Sequence, residues 1–168
     1  MGSLSYGWNK FVKRITVHAE MQAIYNAWAT QKGIESWFLR YAKFGTPENI
    51  VRNPEQFIKA GDTYFWLWHG YSDEVYEKRK IIEANGKDLL RFDFSGDCIV
   101  TVRVKTEGSE NIVELTQENI PEDNDPATNL YVGCGEGWTF YLTNLKSVLE
   151  GGLDLRNKNM QISNVINA

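Results

Sequence analysis

Gly135-Glu136-Gly137-Trp138-Thr139-Phe140-Tyr141-Leu142-Thr143-Asn144-Leu145-Lys146-Ser147-Val148-Leu149-Glu150-Gly151-Gly152 is the stretch whose reading decides the fold. Tyr131, Cys134, Trp138, Tyr141, Leu142, Leu145, Val148 and Leu149 recur at three- and four-residue steps. That spacing puts them on one broad face of a helix that must be buried, with Lys146 and Glu150 on the other side. Asp125 offers a capping acceptor and Pro126 a first helical position, while Gly151-Gly152 supplies the stop. A helix entered there has about twenty-five residues and, at roughly 1.5 Å each, a length near 37 Å, enough to cross a whole sheet.

The chain before it is dominated by strands. Phe11, Ile15 and Val17 alternate with Arg14, Thr16 and His18, the pattern of a half-buried first strand. Met21, Ile24, Tyr25 and Trp28 then fall at helical spacing, and Thr30 can cap a second short helix running through Trp37. From Tyr41 to Ala60 the periodicity weakens around Gly45, Pro47 and Pro54, which reads as one short strand and a long irregular connection. An antiparallel meander follows: Asp62 to Trp68, Val75 to Ala84, Leu89 to Phe94, Cys98 to Lys105 and Ile112 to Asn119, separated by Gly70, Asn85-Gly86, Gly96 and Gly108. Alternation sends Leu90, Phe92, Phe94, Cys98, Val100, Val102, Val104, Val113 and Leu115 to one face. The fold class is α+β: a curved antiparallel sheet with two short helices after strand one and a long C-terminal helix on its apolar face.

The 168 residues fit a single domain, with a core over about residues 10–156 and a tail over 157–168. Six Trp, eight Tyr and eight Phe exceed what packing requires, so they either enrich the core or line a cavity. A net charge of -4 and a pI near 5.3, with no Lys/Arg cluster, argue against nucleic acid or an anionic membrane as partner. Nowhere do eighteen apolar residues run together, so no membrane span is expected. Met1-Gly2-Ser3-Leu4-Ser5-Tyr6 lacks the Ser or Thr of a myristoylation signal and the apolar core of a secretion signal. Cys98 and Cys134, far apart, read as buried hydrophobes in a reducing compartment, and a cytoplasmic location is the default.

Gly133, Gly135 and Gly137 interrupt the first half of the long helix, where each costs about 1 kcal/mol relative to Ala. Two readings account for them: room for a ligand beside Cys134 and Trp138, or close packing of backbone against a sheet or second subunit. The element order, with Trp37-Phe38 after the short helices, Gly61-Asp62-Thr63-Tyr64-Phe65-Trp66 on a strand, and Gly137-Trp138 followed by Asn144-Leu145-Lys146-Ser147-Val148-Leu149-Glu150-Gly151-Gly152 and Asp154-Leu155-Arg156, resembles the SRPBCC superfamily. Within it the similarity is to the branch related to the activator of the Hsp90 ATPase, over roughly residues 10–156. The resemblance implies the helix-grip fold of START lipid-transfer domains and plant allergens, with a hydrophobic cavity between sheet and long helix. It implies no single chemistry.

The leading expectation is therefore non-enzymatic binding of a small hydrophobic molecule, lipid-like or aromatic. By position and alternation the lining comes from Trp37 and Phe38, from Tyr64, Trp66 and Trp68, from Phe92 and Phe94, and from Cys134, Trp138, Tyr141 and Leu142. Gln117 either faces inward with Val113 and Leu115, as a buried amide in need of partners, or sits wet at the rim as a strand-end residue. A second expectation, implied by the resemblance, is a protein-interaction module that engages a chaperone. A third is a cyclase- or dehydratase-like enzyme, yet no catalytic residue stands out. His18 and His69 read as surface residues, neither Cys has a basic neighbour in sequence, and Asp62, Asp73 and Glu74 read as solvated carboxylates flanking turns. No metal-ligand spacing or cofactor motif is present. After the helix, Leu155 is expected to anchor the chain, with Asp154 and Arg156 paired at the surface. An edge strand or the tail leaves a homodimer open.

Overall fold

The computed structural model describes residues 7–166, so the first six residues, read above for signals, lie outside the described residues, as do the last two of the tail. The chain runs β1 (Phe11–Thr16), α1 (Met21–Ala29), α2 (Gln31–Glu35), β2 (Tyr41–Gly45), β3 (Thr63–Leu67), β4 (Tyr76–Ala84), β5 (Leu89–Phe94), β6 (Cys98–Glu107), β7 (Glu110–Glu118) and α3 (Leu130–Leu149). Among the described residues the strands form a seven-stranded antiparallel sheet of order β1-β7-β6-β5-β4-β3-β2. The helical crossover of α1 and α2 carries the chain from one edge of this sheet to the other, and hairpins bring it back. The α+β helix-grip architecture expected from the sequence is the one observed.

Parity along the strands sets the faces. Leu90, Phe92, Phe94, Cys98, Val100, Val102, Val104, Val113 and Leu115 are all buried, as their alternation requires. In β1 the register pairs Ile15 with Val113 and Phe11 with Gln117, so the edge strand adds to the same inner face. Thr30 caps α2 by accepting from Gly33 N at 2.9 Å. Trp28 of α1 meets Trp37 edge-on at 4.5 Å, and Trp37 Nε1 donates to Ala27 O at 2.8 Å, which locks the two short helices into one unit.

The long helix starts later than its entry signals suggest. Asn129 is the cap, accepting from Val132 N at 3.1 Å, whereas Asp125 closes a turn by accepting from Ala127 N at 2.9 Å. Asp125-Pro126 therefore opens a turn four residues upstream, and α3 has 20 residues, about 30 Å at the standard rise. Its end is as expected: Gly151 adopts φ +80, a left-handed conformation that glycine takes without steric cost, and Gly152 N donates to Ser147 O at 2.7 Å.

Two charged residues read as surface groups prove to be buried anchors. Asp62 is fully buried; both its oxygens are paired with Arg52, Nη2 at 2.9 Å, and it also accepts from Lys59 N at 2.8 Å. Arg156, not Leu155, fastens the chain after α3. Leu155 is half exposed, whereas the Arg156 guanidinium donates to Leu39 O and Glu35 O, each at 3.0 Å, and to Asp154 Oδ2 at 2.8 Å. Asn144 of α3, also fully buried, completes this clamp by donating to Trp37 O at 2.7 Å and accepting from Leu155 N at 2.7 Å.

Burial alone would raise the pKa of Asp154, but hydrogen bonds from Arg156, Lys158 and Asn144 outweigh it and hold the carboxyl well below its ordinary 3.8. A carboxylate whose folded pKa is depressed stabilises the fold above its unfolded pKa, and that contribution is lost as pH falls through the folded value. Stability followed by urea denaturation is expected to decline from about pH 4 to pH 2, and Asp154→Asn to flatten that part of the profile.

Candidate ligand cavity

A cavity of about 280 Å³ lies between the first half of α3 and the ends of β3, β4 and β5. Its aromatic wall is Phe38, Trp68, Tyr71, Tyr76, Phe94, Trp138 and Tyr141, and Cys134, Gly133 and Gly137 form its helical side. Phe38 stacks on Trp138 at 5.0 Å and meets Tyr141 edge-on at 4.9 Å, so the link after α2 and the long helix hold each other's rings in place. The segment Ala127 to Leu130 closes one side of the mouth. It is pressed against the turn after β5, where a Cβ at Gly96 would lie 2.4 Å from Leu130 Cδ1 and where φ is +64. The left-handed φ favours glycine at that position, and an added Cβ would also displace the end of the Leu130 side chain.

The helix glycines do not pack against the sheet. A Cβ placed at Gly133 or Gly137 would meet nothing within 4 Å, and at Gly135 only the end of Lys13 at 3.9 Å. They do not serve close backbone packing within the chain: beside Cys134 and Trp138, which line the cavity, the helix surface at Gly133 and Gly137 carries no side chain. Since no neighbour has to move, Gly133→Ala and Gly137→Ala are each expected to raise stability by about 0.5–1 kcal/mol in chemical denaturation.

Of the expected lining residues, Phe38, Trp68, Phe94, Cys134, Trp138 and Tyr141 meet at this cavity. Trp37, Tyr64, Trp66, Phe92, Gln117 and Leu142 are buried in the packed core and are not part of its wall. Tyr64 and Trp66 stack at 3.9 Å, and Trp66 meets Phe92 edge-on at 5.2 Å, which fills the space that they were expected to open. Gln117 is not at a wet rim: it is fully buried and accepts from Trp138 Nε1 at 2.9 Å. Sequence reading missed Tyr71, Val75, Tyr76, Glu77 and Ser95, which belong to strand ends and a turn where alternation carries no information about the mouth.

The polar part of the wall is Glu77 and Ser95. Ser95 Oγ donates to Glu77, Arg79 Nε donates to Glu77 at 2.9 Å, and Arg79 Nη1 reaches Asp97 at 2.8 Å. Glu77 is thus engaged by a cation and a hydroxyl, an arrangement suited to orienting a polar group at the mouth. Burial pushes the Cys134 and Cys98 thiols up, which keeps both in the unreactive protonated form at neutral pH. His18 is exposed beside Glu110, at 3.4 Å, and His69 lies outside the cavity wall, its pKa lowered by burial and by Arg156, Lys158 and Arg40. No cluster of three or more His, Cys, Asp or Glu able to hold a metal occurs among the described residues, and no helix there is long and apolar enough to cross a membrane.

A larger depression, about 1120 Å³, lies on the outer side of α3. One wall is the chain end at Asn164 to Ile166, where Ile166 is 79% exposed. Its shape depends on a segment with little burial, whereas the smaller cavity, though rimmed by exposed residues such as Val75 and Tyr76, backs onto the buried Phe38, Phe94, Trp138 and Tyr141, and it is the stronger candidate site.

An antiparallel sheet gripping a long helix, with an aromatic cavity between them, defines an SRPBCC-type helix-grip protein. The family model described as activator of Hsp90 ATPase homolog 1-like protein matches residues 18–150, and the chain belongs to that family. Among solved structures, the protein SSP2350 of Staphylococcus saprophyticus is similar with a TM-score of 0.65 and 16% identity, over 88% of this chain and 96% of that one. The Aha1 dimer of Colwellia psychrerythraea is similar with a TM-score of 0.63 and 19% identity, over 85% and 97%. DynU16, a protein in the dynemicin biosynthetic locus, is similar with a TM-score of 0.64 and 14% identity, over 89% of this chain and 50% of that one. A comparison with curated proteins finds no match. At these identities the likeness speaks for the fold alone.

Proposed function

We propose that this protein binds a small, largely apolar molecule in the cavity between α3 and the sheet, as a carrier or sensor. The observation that carries the proposal is Gly133 and Gly137: they border the cavity, a Cβ at either would meet nothing, and the helix accepts their propensity cost without any packing return. Aromatic rings around them supply a wall that favours flat apolar molecules. The volume of about 280 Å³ sits at the small end of the usual range for ligand sites, which suits one or two fused rings better than a long acyl chain.

Native mass spectrometry of freshly purified protein, followed by denaturing extraction, tests this reading. A discrete adduct of a few hundred daltons that leaves on unfolding supports it, identifies the ligand class and reports the subunit number, on which the homodimer expectation depends. A bare mass that also shows no binding across a panel of naphthalene- and indole-sized compounds overturns it. The relation of this family to an activator of the Hsp90 ATPase would then direct the search to a chaperone partner.

A further inference from the structure

The outer face of the sheet divides into two halves of different charge. On β1, β7, β6 and β5 the cations are neutralised. Arg14 pairs with Glu107 and, at 3.3 Å, with Glu114; Lys105 pairs with Glu114 at 2.9 Å and Arg91 with Glu118 at 3.5 Å, while Arg103 stands opposite Glu114 in the register. On β2, β3 and β4 they are not. Lys43, Lys78 and Lys80 are exposed, alternating along their strands with the buried Ala42, Phe44 and Ile81, and none of the three has a carboxylate partner among the described residues. Arg79, between two of them, turns the other way and is taken by Glu77 at 2.9 Å and Asp97 at 2.8 Å.

The register sets these lysines among rings. Lys43 and Lys78 flank Phe65 on its two sides, Tyr41 and Tyr76 flank Leu67 in the next row, and Gly45 and Lys80 flank Thr63 in the row beyond. No Asp or Glu occupies these rows. Phe65 lies 6.3 Å from Tyr41 and 5.3 Å from Tyr76, which makes an aromatic strip across three strands, with Tyr41 41% and Tyr76 53% exposed. Protection of a sheet edge accounts for Lys43, because a lysine on an edge strand deters pairing with another chain. It does not account for Lys78 and Lys80, since β4 lies between β3 and β5. These two point to the same face about 7 Å apart, where like charges repel. The edge itself is closed: Ala42 N donates to Glu35 at 2.8 Å, and Phe44 O accepts from Arg52 N at 2.9 Å. A partner therefore meets the face of these strands and not their edge.

We infer that the outer face of β2, β3 and β4 docks an extended acidic segment of another protein, its carboxylates on Lys43, Lys78 and Lys80 and its apolar side chains on the strip of Tyr41, Phe65 and Tyr76. Charge complementarity names the partner, and spacing refines it. Lys43 and Lys78 stand two strand widths apart, about 9.5 Å, and three residues of extended chain span about 10 Å, so carboxylates three positions apart with a ring between them match the row. A long nucleic acid matches less well, because beyond the three lysines it runs onto the surface of a chain of net charge -4. Of the patch residues only Tyr76 also lines the cavity, so this inference stands apart from the ligand-binding reading.

The full chain labelled with nitrogen-15 and titrated with the peptide Asp-Phe-Ser-Glu-Phe-Ser-Asp, or with its uncharged counterpart Asn-Phe-Ser-Gln-Phe-Ser-Asn, tests this by NMR. The acidic peptide is expected to shift the backbone amides of Lys43, Phe65, Lys78 and Lys80, to bind roughly tenfold more tightly than the uncharged one, and to weaken as sodium chloride is raised. The triple variant Lys43→Gln/Lys78→Gln/Lys80→Gln changes only exposed, unpaired side chains and should fold as the parent does, with affinity for the acidic peptide lowered about tenfold. Lys87→Gln, at an exposed lysine in the turn between β4 and β5, should leave that affinity unchanged. Equal binding of the two peptides, shifts that avoid these strands, or a triple variant of parental affinity would overturn the inference. Tighter binding of oligothymidylate than of the acidic peptide would overturn it in favour of nucleic acid. A concentration-dependent dimer in sedimentation that the triple variant abolishes would give the face to a second copy of this chain instead.

Discussion

Arg156→Met is expected to cost about 3–5 kcal/mol of folding stability, the range found when one partner is removed from a buried ion pair. The Arg156 side chain is 2% exposed and every one of its contacts lies between distant parts of the chain or inside the clamp. Methionine would fill much of the volume but leave Leu39 O and Glu35 O without a donor and the Asp154 carboxylate with Asn144 and Lys158 but no guanidinium. Arg156→Lys is expected to recover little, because an ammonium cannot present the planar fork that reaches both carbonyls and the carboxylate together. Chemical denaturation of the two variants checks this, and a loss below about 1 kcal/mol, typical of an exposed pair, would show that the clamp is ornamental. The effect reaches the cavity. Leu39 O and Trp37 O are held by Arg156 and Asn144, and Phe38 between them forms part of the wall. Ligand affinity should therefore fall in Arg156→Met even under conditions where the variant remains folded.

Asp62→Ala is expected to be of the same size, about 3–5 kcal/mol, for a related reason. Asp62 gathers the long connection between β2 and β3: it takes both donors of Arg52, which follows the isolated bridge of Val51 to Gly45, and the backbone N–H of Lys59. Its removal leaves the Arg52 guanidinium, only 13% exposed, without a counter-charge. The double variant Arg52→Met/Asp62→Leu should be markedly less damaged than Asp62→Ala, since replacing both partners by apolar groups removes the unpaired charge. Additive losses in that double-mutant comparison would refute the account.

Both residues show where the sequence was legible and where it was not. The strands, their inward faces and the buried stripe of α3 are written in periods of two and near four, which depend only on neighbours a few positions away. The stop at Gly151-Gly152 was legible for the same local reason. The start was not, because Asp125, Asn129 and Pro126 all carry helix-entry chemistry, and the choice of Asn129 follows from where Leu130 first meets the turn at Gly96. Asp62 and Arg156 looked like solvated charges because nothing in local sequence announces their burial; Arg156 pairs with Asp154 as expected but also meets a carbonyl 117 positions away.

The cavity divides along the same line. That aromatic residues should crowd the space between sheet and helix followed from composition and alternation, and that glycines thin one wall followed from their cost in a helix. Parity, however, says which face a ring is on and not how deep it lies. Tyr64, Trp66 and Phe92 share their strands' inward face with Phe94, yet they are stacked into a sealed core while Phe94, at a strand end, reaches the opening. What the sequence determined by itself is therefore the architecture, a curved antiparallel sheet around a long amphipathic helix, because that information is local and periodic. The tertiary structure alone decided which six of the twelve expected lining residues border open space, which charges are buried, and that Gln117 is sealed in the core against Trp138, because those are contacts between segments far apart in the chain.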